Sequence, residues 1–106
     1  MLNSVQVNEA KKIISDDSQE LPLAFNALSD PGRFSIFKLL LQKNDLCVTD
    51  IANVLGISVP AASQQLKIIE LSGLVRKCRN GQMICYSVKR ENPIVRSLVR
   101  IVGNFT

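Results

Sequence analysis

Histidine is absent from all 106 residues. With it goes the side chain most used for general acid and base work near neutral pH and for zinc ligation. Glycine is scarce, five in all, and no run of it could cradle a phosphate. No serine sits in a nucleophile-elbow pattern, and the adjacent carboxylates Asp16 and Asp17 read as loop or helix-start chemistry. An enzyme is therefore the class the sequence supports least. The three cysteines, Cys47, Cys78 and Cys85, are an odd number, which excludes a simple disulfide framework. No apolar run approaches a membrane span, and the opening MLNSVQVNEAKK lacks the apolar core of a signal peptide, so a cytoplasmic protein with no membrane partner is expected. Without linker, repeat or low-complexity tract, residues 1–106 read as a single domain, and the 46% apolar content builds a core that is modest for its surface.

What is present is concentrated in residues 49–73, TDIANVLGISVPAASQQLKIIELSG. The pattern predicts two short helices around a glycine turn. The first opens at Thr49 as its cap, with Asp50 at the positive end of the dipole. Ile51, Ala52 and Leu55 share one face, and Gly56 ends the helix in a left-handed cap. Ile57 plugs the angle between the helices, Ser58 is the next N-cap, and Pro60 fits the first turn that follows. In the second helix Ala62, Leu66 and Ile69 recur at i, i+4, i+7 and face inward. Pro60, Ala61, Ser63, Gln64 and Lys67 are left outside. That outer face is short, uncharged at its start and rich in hydrogen-bonding groups, as a helix entering a major groove requires: Gln pairs with adenine, Ser meets several base edges, and Ala approaches a thymine methyl. An ordinary helical hairpin in an all-α core remains the alternative for this segment taken alone.

Directly after Gly73 the period changes. LVRKCRNGQMICYSV alternates on both sides of Asn80-Gly81, which predicts a two-residue hairpin with Arg79 opposite Gln82, Cys78 opposite Met83, Lys77 opposite Ile84 and Val75 opposite Tyr86. Val75, Ile84, Tyr86 and Val88 then share a core face. Lys77, Arg79, Asn80 and Gln82 lie at or near the tip. The expected fold is mainly α with a small β-hairpin wing, a winged helix-turn-helix. Charge is distributed to match: residues 59–90 carry six bases and one acid, residues 1–58 five bases and seven acids, within a total of +4. The positive charge that neutralises phosphates thus accompanies the second helix and the wing.

From Ala27 to Val88 the chain resembles the ArsR/SmtB family of winged-helix repressors. The likeness rests on ALSDPGR opening one helix, DLCVTDIA opening the next, the S-x-x-x-x-S-Q-Q-L-K run from Ser58, then SGLV and the NGQ wing. It implies a small bacterial or archaeal transcription regulator, a homodimer that holds a double-stranded DNA operator and leaves it when an inducer occupies a sensor site. Base contacts would come from Ala61, Ser63, Gln64 and Gln65, with backbone contacts from the wing. Gln64 and Gln65 stand where many members carry histidine, so base preference does not carry across. The family's Cys-x-Cys metal site falls on DLCVTD, where Cys47 is kept and Thr49 replaces the second thiol. Its other site, on the last helix, needs histidine and carboxylates; this chain has no histidine, and its final helix offers only Glu91 near the start.

The flanks fit a dimeric domain. Helices are expected near 5–14, around Leu23 to Leu28, and from Asp30, with Pro31 at its first position and Phe34, Phe37, Leu40 and Leu41 packing inward. After Pro93, Ile94, Val95, Leu98, Val99, Ile101, Val102 and Phe105 cover more than half of a final helix. Burying that surface against a twin, together with the first helix, gives a dimer with two recognition helices on one side; completing the monomer's own core is the alternative. Two-fold symmetry predicts a pseudo-palindromic operator with half-sites about one DNA turn apart.

Two readings of the cysteines stand side by side. In one they are a thiol sensor: Cys78 and Cys85 lie on one strand face at diagonal positions, with Arg76, Lys77 and Arg79 lowering a thiol pKa and favouring oxidation or persulfide formation. Cys47 joins if its segment adds a third strand, and three thiolates would then hold a soft metal ion. In the other they are small apolar packing residues, and the regulator has no inducer site of its own. A winged helix that binds only proteins is the remaining alternative, with Leu71 on the outer side of the second helix as its support.

Overall fold

In the computed structural model, which describes residues 1–15 and 18–104, the chain forms six helices and one small sheet. Helix α1 (Ser4–Ile14) opens with a capping box in which the Asn3 side chain accepts from Gln6 N and the Gln6 side chain accepts from Asn3 N. Helices α2 (Glu20–Leu28) and α3 (Pro31–Gln42) follow. Asp30 caps α3 by accepting from Arg33 N at 3.0 Å, and Pro31 takes its first position, where a missing N–H costs nothing. Strand β1 (Leu46–Cys47) runs straight into α4 (Val48–Leu55), which a turn joins to α5 (Val59–Leu71). Strands β2 (Val75–Asn80) and β3 (Met83–Val88) make the wing, and α6 (Pro93–Asn104) ends the described chain. The sheet order is β1-β3-β2, antiparallel throughout. The architecture is a winged helix-turn-helix, mainly α with a small antiparallel sheet. The Asp16-Asp17 pair and Phe105 lie outside the described residues.

One core joins these elements. Phe37, Ile36 and Leu40 of α3, Ile51 of α4, Leu66 and Ile69 of α5, Val75 of β2 and Val95 of α6 are essentially inaccessible to water. Of the inward positions expected on α3, Phe37 and Leu40 are buried and Phe34 and Leu41 half-buried; Ile36 belongs with them. Asn92 fastens α6 to this core, its Oδ1 accepting from Ile94 N at 2.8 Å and its amide donating to Gly73 O at 3.3 Å.

Three expectations need correction. Cys47, not Thr49, is the N-cap of α4, because strand pairing of Leu46 and Cys47 fixes extended backbone up to Cys47 and the helix starts at once. The Asp50 carboxylate then accepts from Cys47 N at 3.3 Å. Ile57 fills the helix angle only in part: it is 39% exposed and lines a hollow with Ile36, Leu55 and Gln65. The hairpin register is shifted by two residues: Asn80 pairs with Met83, Arg79 with Ile84, Cys78 with Cys85, Lys77 with Tyr86 and Val75 with Val88. Its two-residue turn is Gly81-Gln82 rather than Asn80-Gly81, with Gly81 at φ 66 in the first central position, as a II′-type turn requires. A shift of two keeps every side chain on its expected face, so Val75, Tyr86 and Val88 are buried and Ile84 half-buried.

Gly56 has the left-handed conformation anticipated for it, φ 66 and ψ 33. A Cβ built there meets nothing within 4 Å, so the cost of a side chain is purely conformational. Gly56→Ala is expected to lower unfolding stability by about 1 to 2 kcal/mol, measured by urea denaturation. An unchanged midpoint would show that the turn does not need a left-handed residue.

Candidate nucleic-acid interface

Helix α5 turns its apolar stripe, Ala62, Leu66 and Ile69, fully into the core. Its Ser58 cap accepts from Ala61 N at 3.2 Å, and Ser63, Gln64 and Lys67 stand exposed on the outer side, with Ala61 and Gln65 half-buried at its margins. Lys77, Arg79, Asn80 and Gln82 are all exposed on the wing. The two elements are neighbours. Lys67 and Ser63 share one hollow with Lys77, Ile84 and Tyr86, and Ser63 shares a second, of about 230 Å³, with Gln82, Met83, Val59 and Cys47. Lys77 and Arg79 pair with Tyr86 and Ile84, which places these two bases on the sheet face turned toward α5.

Not every base of this region is available to a ligand. Arg76 is ion-paired with Glu91, and Arg90 donates to Leu41 O at 2.8 Å and to Asn44 Oδ1. Lys67, Lys77 and Arg79 therefore carry the charge that faces outward beside α5. Gln65 is also engaged: its Oε1 accepts from the Arg33 guanidinium at 3.1 Å, while Arg33 Nε donates to Ala27 O at 2.7 Å. Arg33 is a residue that sequence reasoning missed. It stands 32 positions from Gln65, and no local pattern announces such a pairing. Leu71 is 72% exposed but belongs to a separate hollow with Leu23, Leu74 and Asn92 at the far end of α5.

The cysteines are arranged differently from expectation. Cys78 is directly opposite Cys85, not diagonal to it, and Cys47 is opposite Cys85 on the other side, so the three form a row across the sheet with Cys85 in the middle. Cys78 is exposed, Cys47 half-buried and Cys85 buried, and the sulfurs of Cys47 and Cys85 approach to 2.8 Å. The wing's cations do not lower the Cys85 thiol. A hydrogen bond to the Cys47 thiol, burial, and the charges of Cys47, Asp45 and Cys78 push it up to about 11. The three-thiolate site for a soft ion is not assembled: among the described residues no group of three or more Cys, Asp or Glu side chains could hold a metal ion. Burial, with a smaller contribution from Glu70, also raises the Tyr86 hydroxyl and keeps it neutral.

Among the described residues no helix is long and apolar enough to cross a membrane. The profile of the family described as bacterial regulatory protein, arsR family, matches residues 30–77. The cadmium resistance transcriptional regulatory protein CadC of Listeria innocua is 33% identical over 101 residues, which span 94% of this chain and 83% of that protein. Among solved structures, HlyU from Vibrio cholerae superposes with a TM-score of 0.75 at 23% identity, over 87% of this chain and 97% of that one. A protein of Mycobacterium bovis described as a homodimeric winged helix-turn-helix DNA-binding domain superposes with a TM-score of 0.70 at 25% identity, over 98% and 91%.

Proposed function

Because this chain belongs to the ArsR family of bacterial regulatory proteins, we propose that it is a homodimeric repressor that holds a pseudo-palindromic operator and is released from it by an inducer. DNA-binding regulation is the family's activity; the dimer, the operator symmetry and the release are this reading's additions. The observation that carries it is the exposed polar face of α5, Ser63, Gln64 and Lys67, standing beside the basic wing while the same helix buries Ala62, Leu66 and Ile69. In this reading Ala61, Ser63 and Gln64 meet base edges in the major groove. Lys67, Lys77 and Arg79 neutralise phosphates, Asn80 and Gln82 add hydrogen bonds from the wing tip, and Gln65, held by Arg33, sets the angle of the helix.

Support for a twin subunit comes from surface left uncovered. Helix α1 buries no residue in the monomer. The radius of gyration is 17.4 Å, against about 13 Å for a compact chain of this length, and 7360 Å² is exposed, against about 5,900 Å² for a globule of this mass. An apolar trough of about 360 Å³ between α2 and α6, formed by Leu21, Phe25, Ile94, Leu98 and Ile101, adds to it. On α6, Val95, Leu98 and Val102 serve the monomer's core; Phe25 and Ile101 are more than half exposed and are free for a partner.

CadC is named for cadmium resistance, and a metal inducer of this chain would depend on the donor atoms present. They do not fit one: the chain has no histidine, Thr49 replaces the second thiol beside Cys47, and no cluster of three ligands is found among the described residues.

Salt titration of binding to duplex DNA tests the reading. The logarithm of the affinity falls steeply and linearly with the logarithm of salt, and Arg79→Ala reduces that slope by about 1 while weakening all sequences alike. Binding indifferent to salt would point instead to an apolar protein partner.

A further inference from the structure

We propose that Cys47 and Cys85 are a dithiol that a hydroperoxide closes into an intramolecular disulfide, a staple that ties the start of the helix-turn-helix to the returning strand of the wing. The geometry carries it. The two residues are register partners in adjacent antiparallel strands, where opposite Cα atoms lie about 4.5 to 5.5 Å apart, inside the disulfide range. Their sulfurs already touch at 2.8 Å across a sequence separation of 38. Cys47 is half-buried, so a small oxidant can reach it from solvent.

Chemical roles follow from exposure. Cys47, half-buried and reachable, is oxidised first: its sulfur attacks one peroxide oxygen, the O–O bond breaks, the other oxygen leaves as water or alcohol, and Cys47 becomes a sulfenic acid. Cys85 is buried and holds its proton, its thiol being pushed up to about 11 chiefly by the hydrogen bond to Cys47, so it acts second. Its sulfur attacks the sulfenic sulfur, the S–O bond breaks, and the hydroxyl departs with the Cys85 proton as water. Two thiols have then lost two electrons and two protons, and one hydroperoxide has been reduced. Cys78, on the opposite flank of Cys85 and exposed, is not required.

The consequence for regulation rests on the DNA-binding reading above. Because the sulfurs are already in contact, closing the bond moves neither α5 nor the wing, so the oxidised regulator keeps its operator and gains stability. The Cys47 and Cys85 thiols are then a means of holding the fold under oxidant and not the trigger of release.

The test treats the reduced full chain with hydrogen peroxide and maps disulfides by mass spectrometry of a non-reducing digest. A Cys47–Cys85 link is expected in the parent and in Cys78→Ser, and in neither Cys47→Ser nor Cys85→Ala, the last trapping a dimedone-reactive sulfenic acid at Cys47. The linked protein should melt higher by on the order of 10 °C, reversibly with dithiothreitol. Failure of the link to form, or a Cys78–Cys85 link in its place, overturns the proposal, and this readout involves no DNA. If the link forms and operator affinity drops more than about tenfold, the staple is instead a release switch and its assigned role is overturned. If neither redox state binds any duplex, it is the DNA-binding reading that has failed.

Discussion

Ile101→Asp converts the protein to a monomer and weakens operator binding on the order of 10²- to 10⁴-fold. In the monomer Ile101 is 54% exposed and touches the apolar trough formed with Phe25 and Leu98, so a carboxylate there is solvated and the fold survives. In a dimer the same carboxylate would be pressed into apolar surface without a partner, and it would escape by dissociation. Two half-sites held by one molecule gain from the high effective concentration of the second recognition helix once the first is seated. A monomer forfeits that gain without losing a single base contact. Light scattering of the eluting protein and anisotropy with a labelled duplex read the two effects, and circular dichroism verifies that the variant is folded. A variant that remains a dimer would move the interface away from α6.

Gln64→Ala has the second largest effect. An exposed glutamine on the outer face of α5 can pair bidentately with one adenine, and its removal costs on the order of 1 to 3 kcal/mol per half-site and blurs preference at that base position. Its neighbour Gln65 is a contrast. Its carbonyl is already committed to Arg33, so under the proposed reading it acts through the placement of the helix. The two glutamines are adjacent in the chain and differ in what they have left to offer a base. Competition titrations over single-base operator variants separate them: Gln64→Ala flattens one position, and an unaltered profile would mean that the recognition face lies elsewhere on α5.

Much of the fold could be read before the structure because its signals are local. Proline at the start of α3, Ser58 before α5, the left-handed Gly56 and the 3.6-residue recurrence of Ala62, Leu66 and Ile69 each depend on residues within a turn or two. The core face of the wing was equally accessible, since alternation survives a register error of two. What escaped depends on distant partners. Asn80-Gly81 is a strong turn signal, yet the strands close around Gly81-Gln82, with glycine at the first central position that a II′-type turn requires. Pairing of Leu46 and Cys47 with Tyr86 and Cys85 moved the α4 cap from Thr49 to Cys47 and made a row of three sulfurs where the sequence suggested a diagonal pair. The direction of the Cys85 shift followed from that row: Arg76, Lys77 and Arg79 are close in sequence, but the neighbouring thiol and burial determine the outcome. Arg33 and its hold on Gln65 are invisible in any window of sequence.

The site was legible in outline for the same reason. Ser63, Gln64 and Lys67 had to be outside once Ala62, Leu66 and Ile69 were inside, and wing residues Lys77 and Arg79 were placed by alternation. Their proximity to α5, across shared hollows, is a tertiary fact. So is the internal use of Arg76 and Arg90, which reduces the outward charge from what counting bases suggests.

Selection of bound duplexes from random DNA by the reduced protein tests most directly whether the outer face of α5 reads bases. Enrichment of an inverted repeat with half-site centres about 10 to 10.5 base pairs apart is expected, together with its disappearance when Ser63 and Gln64 are both replaced by alanine. Absence of any enriched sequence, or enrichment that the double replacement leaves unaltered, would contradict the account.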